Sequence, residues 1–168
     1  ARTLLTRLPL HEGTLAELLR ATNHPDVVSL TWRFFGNGGI DRYEDRPVIE
    51  QFTRCAPLVM DNPGMAWGFK TLFRRAGARF RKLGVHRPLK LAPGAEGGVR
   101  WVNGSGQPMT RQFLEGMWRS SAATVGYDLA EMAHFAVKSR EAFLLRQIRG
   151  NVNAKPDKYD ATYFGIFD

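Results

Sequence analysis

Four histidines and one cysteine are the residues of this sequence that could bind a metal or act as a nucleophile. The histidines lie far apart, and no two of them have the spacing of a zinc-ligand pair. Cys55 follows Arg54 but has no histidine near it in sequence, so we expect a small buried side chain rather than a nucleophile. The sequence therefore predicts neither a metal site nor a cofactor. The histidines are His11, His24, His86 and His134.

Glycine-rich stretches and pairs of acidic residues could bind phosphate or act in acid–base catalysis. Three Gly-rich stretches, at 36–39, 94–98 and 103–106, match neither the phosphate-loop pattern nor the dinucleotide-binding pattern, and we interpret them as turns. Asp128 and Glu131 would lie one helical turn apart, and we expect both carboxylates to be solvated. These patterns predict a protein that is not an enzyme.

The strongest signal in the sequence is a local excess of positive charge. The segment from Lys70 to Arg111 contains ten Lys or Arg side chains and a single acid, Glu96, which gives a net charge of +9. The rest of the chain holds 14 basic and 15 acidic side chains, so the whole net charge of +8 arises in this segment. Such a concentration indicates a partner that carries phosphate or carboxylate groups. The alternative is a solvated surface without a partner.

Apolar residues at intervals of three and four run through the first part of this segment and predict a helix. Between Met65 and Leu83, seven apolar residues share one side of a helical projection, and most of the basic residues fall on the other side. Trp67 lies among the basic residues, where it could stack on a base, rest among lipid headgroups or anchor a protein interface. The predicted partner contact comprises Trp67, Lys70, Arg74, Arg75, Arg81, Lys82, Arg87 and Lys90.

The remaining sequence completes a mainly α-helical prediction of four to six helices. Thr14 and Glu17 form a capping box for a first helix, and the apolar stretch 26–35 predicts a second. Residues 84–109 are rich in Gly and Pro and predict a long irregular connection, in which VRWV could form a short strand. Residues 110–150 predict one or two further helices. A third helix is expected after Pro47, and Gly150 is expected to end the last one.

The last 18 residues have no helical period and are rich in aromatic side chains. We predict a single helical domain over 1–150 and an extended tail over 151–168. Such an apolar tail either folds back on its own domain or docks on another chain, and we favour docking. The predicted docking residues are Tyr159, Tyr163, Phe164 and Phe167.

Composition bears on the cellular location. One cysteine excludes an internal disulfide and indicates a reducing compartment. Residues 1–11 are basic and hydroxylated and contain no acid, which suits an organellar address, and Ala1 at the start suits either a cleaved targeting peptide or removal of an initiator Met. No stretch approaches the roughly 18 apolar residues that a spanning helix needs. We therefore expect a mitochondrial protein, on the matrix side or peripheral to the inner membrane.

Two functions fit these observations. The first is a non-catalytic structural or accessory subunit of a large multi-protein assembly, such as a respiratory complex or ATP synthase of the mitochondrial inner membrane. Its cationic helix would contact other subunits and, in addition, anionic lipid headgroups. The alternative is an RNA-binding protein of an organellar ribosome, with the basic segment along phosphates. We favour the first, because the chain outside the basic segment is almost neutral.

Overall fold

The structure, a computed structural model, describes residues 2–6, 13–60, 66–74, 79–95, 97–150 and 158–168. Within these residues the chain forms seven strands and five short helices, so it is a mixed α/β protein and the prediction of a mainly helical fold is wrong. The strands are β1 (Arg2–Thr6), β2 (Val27–Phe35), β3 (Phe69–Phe73), β4 (Phe80–Leu83), β5 (Pro88–Leu91), β6 (Trp101–Asn103) and β7 (Ala130–Phe135). The helices are α1 (Leu15–Ala21), α2 (Val48–Gln51), α3 (Gln112–Glu115), α4 (Arg140–Arg149) and α5 (Ala161–Phe167).

The strands form two sheets. Five of them make one sheet in the order β1-β7-β2-β3, with β6 also paired to β2, while β4 and β5 form a separate two-stranded sheet. β2 and β3 are antiparallel, and their register runs from Val27 opposite Phe73 to Thr31 opposite Phe69. β6 pairs in parallel with Val27–Ser29 of β2. β2 is therefore an interior strand with partners on both of its edges.

The chain divides into two compact units, which we call the first unit (1–3, 33–63 and 133–168) and the second unit (4–32 and 64–132). The second unit contains two apolar clusters. One is centred on Leu18, Leu30 and Ala130, each completely buried, and the other on Phe69 and Phe113, which are 0% and 1% exposed. The first unit is held by aromatic contacts. Their ring pairs include Phe34 with Phe167 and Phe35 with Phe135.

The stretch 26–35, predicted as a helix, is strand β2. Its first six residues are all buried, so the strand shows no alternation of polar and apolar positions that would have marked it as β. Val27, Val28 and Thr31 are β-branched and suit a strand better than a helix. The buried Ser29 hydroxyl is satisfied, because it accepts a hydrogen bond from the Trp101 indole at 2.8 Å.

The predicted cationic amphipathic helix over 65–83 is also wrong. Residues on either side of 75–78, which lie outside the described ranges, form the strands β3 and β4. An interval of four residues, such as Phe69 to Phe73, fits both the helical and the strand period, so the apolar pattern did not separate the two structures. Pairing with β2 satisfies the backbone of β3 through the ladder instead of through helical hydrogen bonds.

The segment 84–109 is not irregular throughout, because it contains β5 and β6. The short strand expected at VRWV is confirmed as β6, and the turn expected at 103–106 is confirmed by the hydrogen bond from the Gly106 amide to the Asn103 carbonyl, 3.0 Å. Between 110 and 150 only α3 and α4 are helical, and β7 lies between them. Glu131 therefore lies on a strand, and it is buried rather than solvated.

Three local predictions at helix ends are confirmed. The Thr14 hydroxyl accepts from the Glu17 amide at 3.2 Å as predicted, while the Glu17 carboxylate accepts from the amide of Gly13, the residue before the cap, at 3.1 Å, which is a variant of the capping box. A short helix, α2, follows Pro47. Gly150 ends α4 with φ 75°, a conformation that glycine adopts without steric cost.

The C-terminal segment is not an extended tail over the residues that the structure describes. Residues 161–167 form α5, whose first turn is capped by the Asp160 carboxylate accepting from the Tyr163 amide at 2.7 Å. The side chain of Asp168 accepts from the Asn37 amide at 2.6 Å. Residues 151–157 lie outside the described ranges. This segment therefore folds back within the first unit.

Candidate functional site

The predicted partner residues on β4 and β5 lie on a two-stranded hairpin, which we name the basic hairpin (residues 80–91). Its register pairs Phe80 with Leu91 and Leu83 with Pro88. Residues 79–95 contain no acidic side chain. Three of its cations are exposed, and within the described part of the chain none of them has a hydrogen-bond or ion-pair partner. These cations are Arg81, Lys82 and Lys90.

Two of these cations occupy neighbouring strands. Arg81 and Lys90 lie between the paired positions Phe80–Leu91 and Lys82–Leu89. Like charges on adjacent strands repel each other, and a bound anion would relieve that repulsion. Lys90 also has a left-handed backbone with φ 54°, an uncommon conformation for a residue with a side chain. The hairpin therefore carries uncompensated positive charge and local backbone strain at the same place.

The basic hairpin is anchored in the core of the second unit through Phe80 at its base and Arg87 in its turn. The ring of Phe80 meets that of Trp101 edge-on, with centroids 6.3 Å apart. Arg87 is only 5% exposed; its guanidinium donates to the Phe113 carbonyl and lies 5.9 Å from the centroid of the Trp101 ring. Desolvation by this burial lowers the pKa of Arg87. Although sequence reasoning assigned Arg87 to the partner surface, the structure places it in the interior, where it fixes the hairpin.

The tip of the hairpin (83–86) is tied to strand β3. The His86 carbonyl accepts from the Thr71 amide at 3.1 Å, and the His86 ring nitrogen Nδ1 lies 3.2 Å from the Phe69 carbonyl oxygen. Lys70, another predicted partner residue, donates from Nζ to the Val85 carbonyl. The tip is therefore held by its backbone and by the His86 ring, while the side chains of Leu83 and Val85 are exposed.

Two aliphatic side chains at the tip are exposed. Leu83 is 72% and Val85 is 81% exposed. Gly84 between them makes the turn tight, since its amide donates to the Arg87 carbonyl at 2.9 Å and a Cβ would lie 2.8 Å from Leu89 Cδ1. Sequence reasoning missed this feature, because it placed Leu83 on the buried face of a helix. Cations and aliphatic groups are therefore exposed together on one element.

Other basic residues of the segment make contacts within the second unit. Arg74 donates to the His24 carbonyl at 3.4 Å, and Arg79 forms an ion pair with Asp26 at 3.1 Å. Arg100 donates to the Asn23 carbonyl at 2.6 Å. These interactions use part of the positive charge to stabilise the connection between α1 and β2. Arg75 lies outside the described residues.

The exposed indole beside the hairpin tip belongs to Trp118 rather than to Trp67. Trp67 is half-buried, and its carbonyl accepts from the Ser120 amide at 2.8 Å. Trp118 is 38% exposed and packs against His86 and Trp32, with centroid distances of 4.8 and 5.9 Å. Nothing in the spacing of the sequence links Trp118 to the basic segment, because the contact arises from the tertiary fold.

A second exposed apolar surface lies on helix α4 in the first unit, and we name it the α4 face. It consists of Leu144, Leu145 and Ile148, which are 56%, 63% and 84% exposed. Beside it lies a groove of about 370 Å³, lined by residues of α4 and α5 that include Phe143 and Phe164. Adjacent large aliphatic groups on one helix are unusual for a surface that meets only water.

The predicted docking residues of the tail pack against α4 of the same chain. Phe143, which is 4% exposed, contacts the rings of Tyr159, Tyr163 and Phe164 at centroid distances of 6.5, 6.2 and 5.0 Å. Phe167 is also buried. These aromatic rings therefore build the α4–α5 pair and the groove beside the α4 face.

The residues considered for nucleophilic and metal chemistry do not come together in the described part of the chain. No group of three or more His, Cys, Asp or Glu side chains there could hold a metal ion. Cys55 is exposed, so its expected burial is wrong, and its sulfur accepts a hydrogen bond from Arg33 at 3.3 Å. None of the helices in the described ranges has the length and hydropathy that crossing a bilayer requires.

Comparison of the chain with protein-family models, with curated proteins and with solved structures finds no match.

Proposed function

We propose that this chain is a non-catalytic structural subunit of a large multi-protein assembly, and that it docks on a neighbouring subunit through the α4 face. The assembly that best suits the sequence is an energy-transducing complex at the mitochondrial inner membrane, where the chain would be a peripheral subunit. A mitochondrial location stays a prediction from the sequence.

The observation that carries the proposal is the exposure of three large aliphatic side chains on one face of α4. Ile148 alone is 84% exposed on a helix whose opposite side is buried through Phe143. Burying such groups against a partner is favourable by roughly 25 cal/mol for each Å² of apolar surface. An interface of this kind therefore stabilises an assembly, while the free surface would favour aggregation.

The surroundings of the α4 face suit a protein partner. Charges of both signs lie at its edge, including Arg140, which pairs with Asp41 at 3.1 Å, and Glu141, whose carboxylate accepts from the Tyr43 amide at 2.7 Å. An apolar centre with a mixed polar rim is typical of protein–protein interfaces. The adjacent groove offers space for side chains of the partner, and such pockets hold the residues that dominate interface energies.

A substitution at the α4 face tests the proposal in the native source. A tagged chain with Leu144→Gln and Ile148→Gln is compared with the unaltered chain by native gel electrophoresis of a mild detergent extract. We expect the unaltered chain to migrate with a large assembly and the double variant to migrate mainly as free chain. Loss of interface anchors costs about 2 kcal/mol or more, which corresponds to a roughly 30-fold weaker association.

Two controls separate docking from folding and from RNA binding. Ile49→Gln with Val59→Gln removes two aliphatic groups that are 50% and 75% exposed in the same unit, and this variant should stay in the assembly. Treatment with ribonuclease should leave the assembly intact. Release of the chain by ribonuclease would instead favour the alternative of an RNA-binding organellar ribosomal protein and would contradict the proposal.

A further inference from the structure

We infer that the basic hairpin binds an anionic lipid bilayer, with Leu83 and Val85 entering the boundary between headgroups and acyl chains. The inference rests on the proposed function, because it names a second contact for a subunit that is peripheral to a membrane. Its site is distinct from the α4 face, since the hairpin belongs to the second unit and α4 to the first.

The tip of the hairpin combines exposed aliphatic groups with nearby exposed cations. Leu83 and Val85 are the most exposed aliphatic residues of the second unit among those described, at 72% and 81%. Each sits within a few residues of an exposed cation, and no acid occurs over residues 79–95. Exposed apolar groups close to exposed cations match a bilayer surface, where phosphates lie outside and hydrocarbon lies beneath them.

The exposed cations of the hairpin also favour an anionic surface. Within the described residues Arg81, Lys82 and Lys90 have no anionic partner, although Arg79 nearby is paired with Asp26. Each Lys or Arg close to an anionic bilayer increases the binding constant roughly fivefold. Headgroup phosphates would also relieve the repulsion between the cations on neighbouring strands.

The hairpin is fixed at several points within the second unit. Phe80 at the base and Arg87 in the turn fix the hairpin in the core, and Thr71 and Lys70 hold the backbone of its tip. An element held in this way presents the tip without ordering it on binding, so little conformational entropy is lost.

The same element is less suited to RNA. Proteins recognise unpaired bases by stacking aromatic or guanidinium planes on them, and although Trp118 and Arg81 offer such planes, Leu83 and Val85 at the tip do not. Leu83 and Val85 would stay in water if the cations alone tracked phosphates. A lipid surface uses both the charges and the aliphatic groups of the hairpin.

Vesicle flotation with the full chain tests the inference. The unaltered chain should float with vesicles of phosphatidylcholine mixed with phosphatidylglycerol, and it should not float with phosphatidylcholine alone. The variant Leu83→Ser with Val85→Ser keeps every charge and should bind roughly tenfold or more weakly, because the burial of two aliphatic groups is lost. The triple variant Arg81→Gln, Lys82→Gln, Lys90→Gln should bind about 100-fold more weakly.

A spectroscopic readout reports insertion directly. An environment-sensitive dye on Leu83→Cys, in a chain with Cys55→Ser, should shift its emission to the blue with the anionic vesicles. The same dye on Arg42→Cys in the first unit, an exposed position, is the control and should not shift. Equal vesicle binding by the Leu83–Val85 variant, or the absence of a shift at position 83, would overturn the inference. Binding to single-stranded RNA but not to the vesicles would overturn it in favour of a nucleic-acid contact.

Different results would contradict the proposed function and the lipid contact. A chain that migrates with the large assembly but does not bind the vesicles supports the proposed function and contradicts the lipid contact. A chain that binds the vesicles through its hairpin tip but never enters an assembly contradicts the proposed function. The hairpin variants should retain the circular dichroism of the unaltered chain, because all the substituted side chains are exposed.

Discussion

Arg87 is a buried cation whose role is to hold the basic hairpin in place. Arg87→Gln removes the hydrogen bond to the Phe113 carbonyl and the contact with Trp101. We expect the free energy of unfolding to fall by about 1–3 kcal/mol, the usual cost of leaving a buried polar group without its partner. All four tryptophans belong to the second unit, so their fluorescence during urea unfolding reports on that unit.

The matched control for Arg87 is Lys82→Gln, which removes an exposed cation from the same hairpin. Its effect on stability should stay within about 0.5 kcal/mol, since surface substitutions away from special features cost little. Equal stability of the two variants would show that Arg87 is not an anchor. Sequence alone could not distinguish these two residues, because both are cations in one basic run and only the fold determines which is covered.

The pairing of α4 with α5 depends on one aromatic side chain, Phe143, which contacts three rings of the C-terminal segment. Phe143→Ala should destabilise the first unit by about 3–5 kcal/mol, the typical cost of deleting a buried Phe. Loss of this contact should release α5, so chymotrypsin should cleave at Tyr163 and Phe164 faster than in the unaltered chain. The measurement is limited proteolysis followed by mass spectrometry.

Leu144→Ala is the control for that experiment, because it shortens the next side chain on the same helix at an exposed position. Its cleavage rate should match that of the unaltered chain. If Phe143→Ala also left the rate unchanged, the C-terminal segment would be held by something other than this aromatic cluster. That result would favour the prediction from the sequence, in which the C-terminal segment docks on another chain.

Short sequence patterns predicted individual helix ends, but they did not predict that the central elements of the fold are strands. The capping box at Thr14 and the glycine after α4 act within a few residues, so sequence was sufficient for them. β2 is buried over most of its length, and two of its three partner strands lie about 40 and 74 residues away in sequence, at Phe69–Phe73 and Trp101–Asn103. An interior strand of that kind lacks alternation, and long-range pairing overrides an apparent helical period.

The position of the positive charge along the chain could be predicted from the sequence, although the secondary structure that carries this charge could not. Counting charges locates the positive excess between Lys70 and Arg111 without any knowledge of the fold. Burial then removes Arg87 from the surface, and internal contacts occupy Arg74, Arg79 and Arg100. The side chains left exposed without a partner among the described residues include those of the basic hairpin, beside aliphatic groups that no charge count could find.

If the position of the charge matters more than its sum, two variants of equal net charge should differ in their affinity for a polyanion. Arg81→Gln, Lys82→Gln, Lys90→Gln and the control Arg42→Gln, Arg54→Gln, Arg149→Gln each remove three exposed cations from a chain of net charge +8. The hairpin variant should elute from a heparin column at a clearly lower salt concentration, since clustered charges act together within a Debye length of about 10 Å at 0.1 M salt. Elution of both variants at the same salt would mean that the polyanion senses only the total charge. The basic hairpin would then not be a distinct anion-binding element.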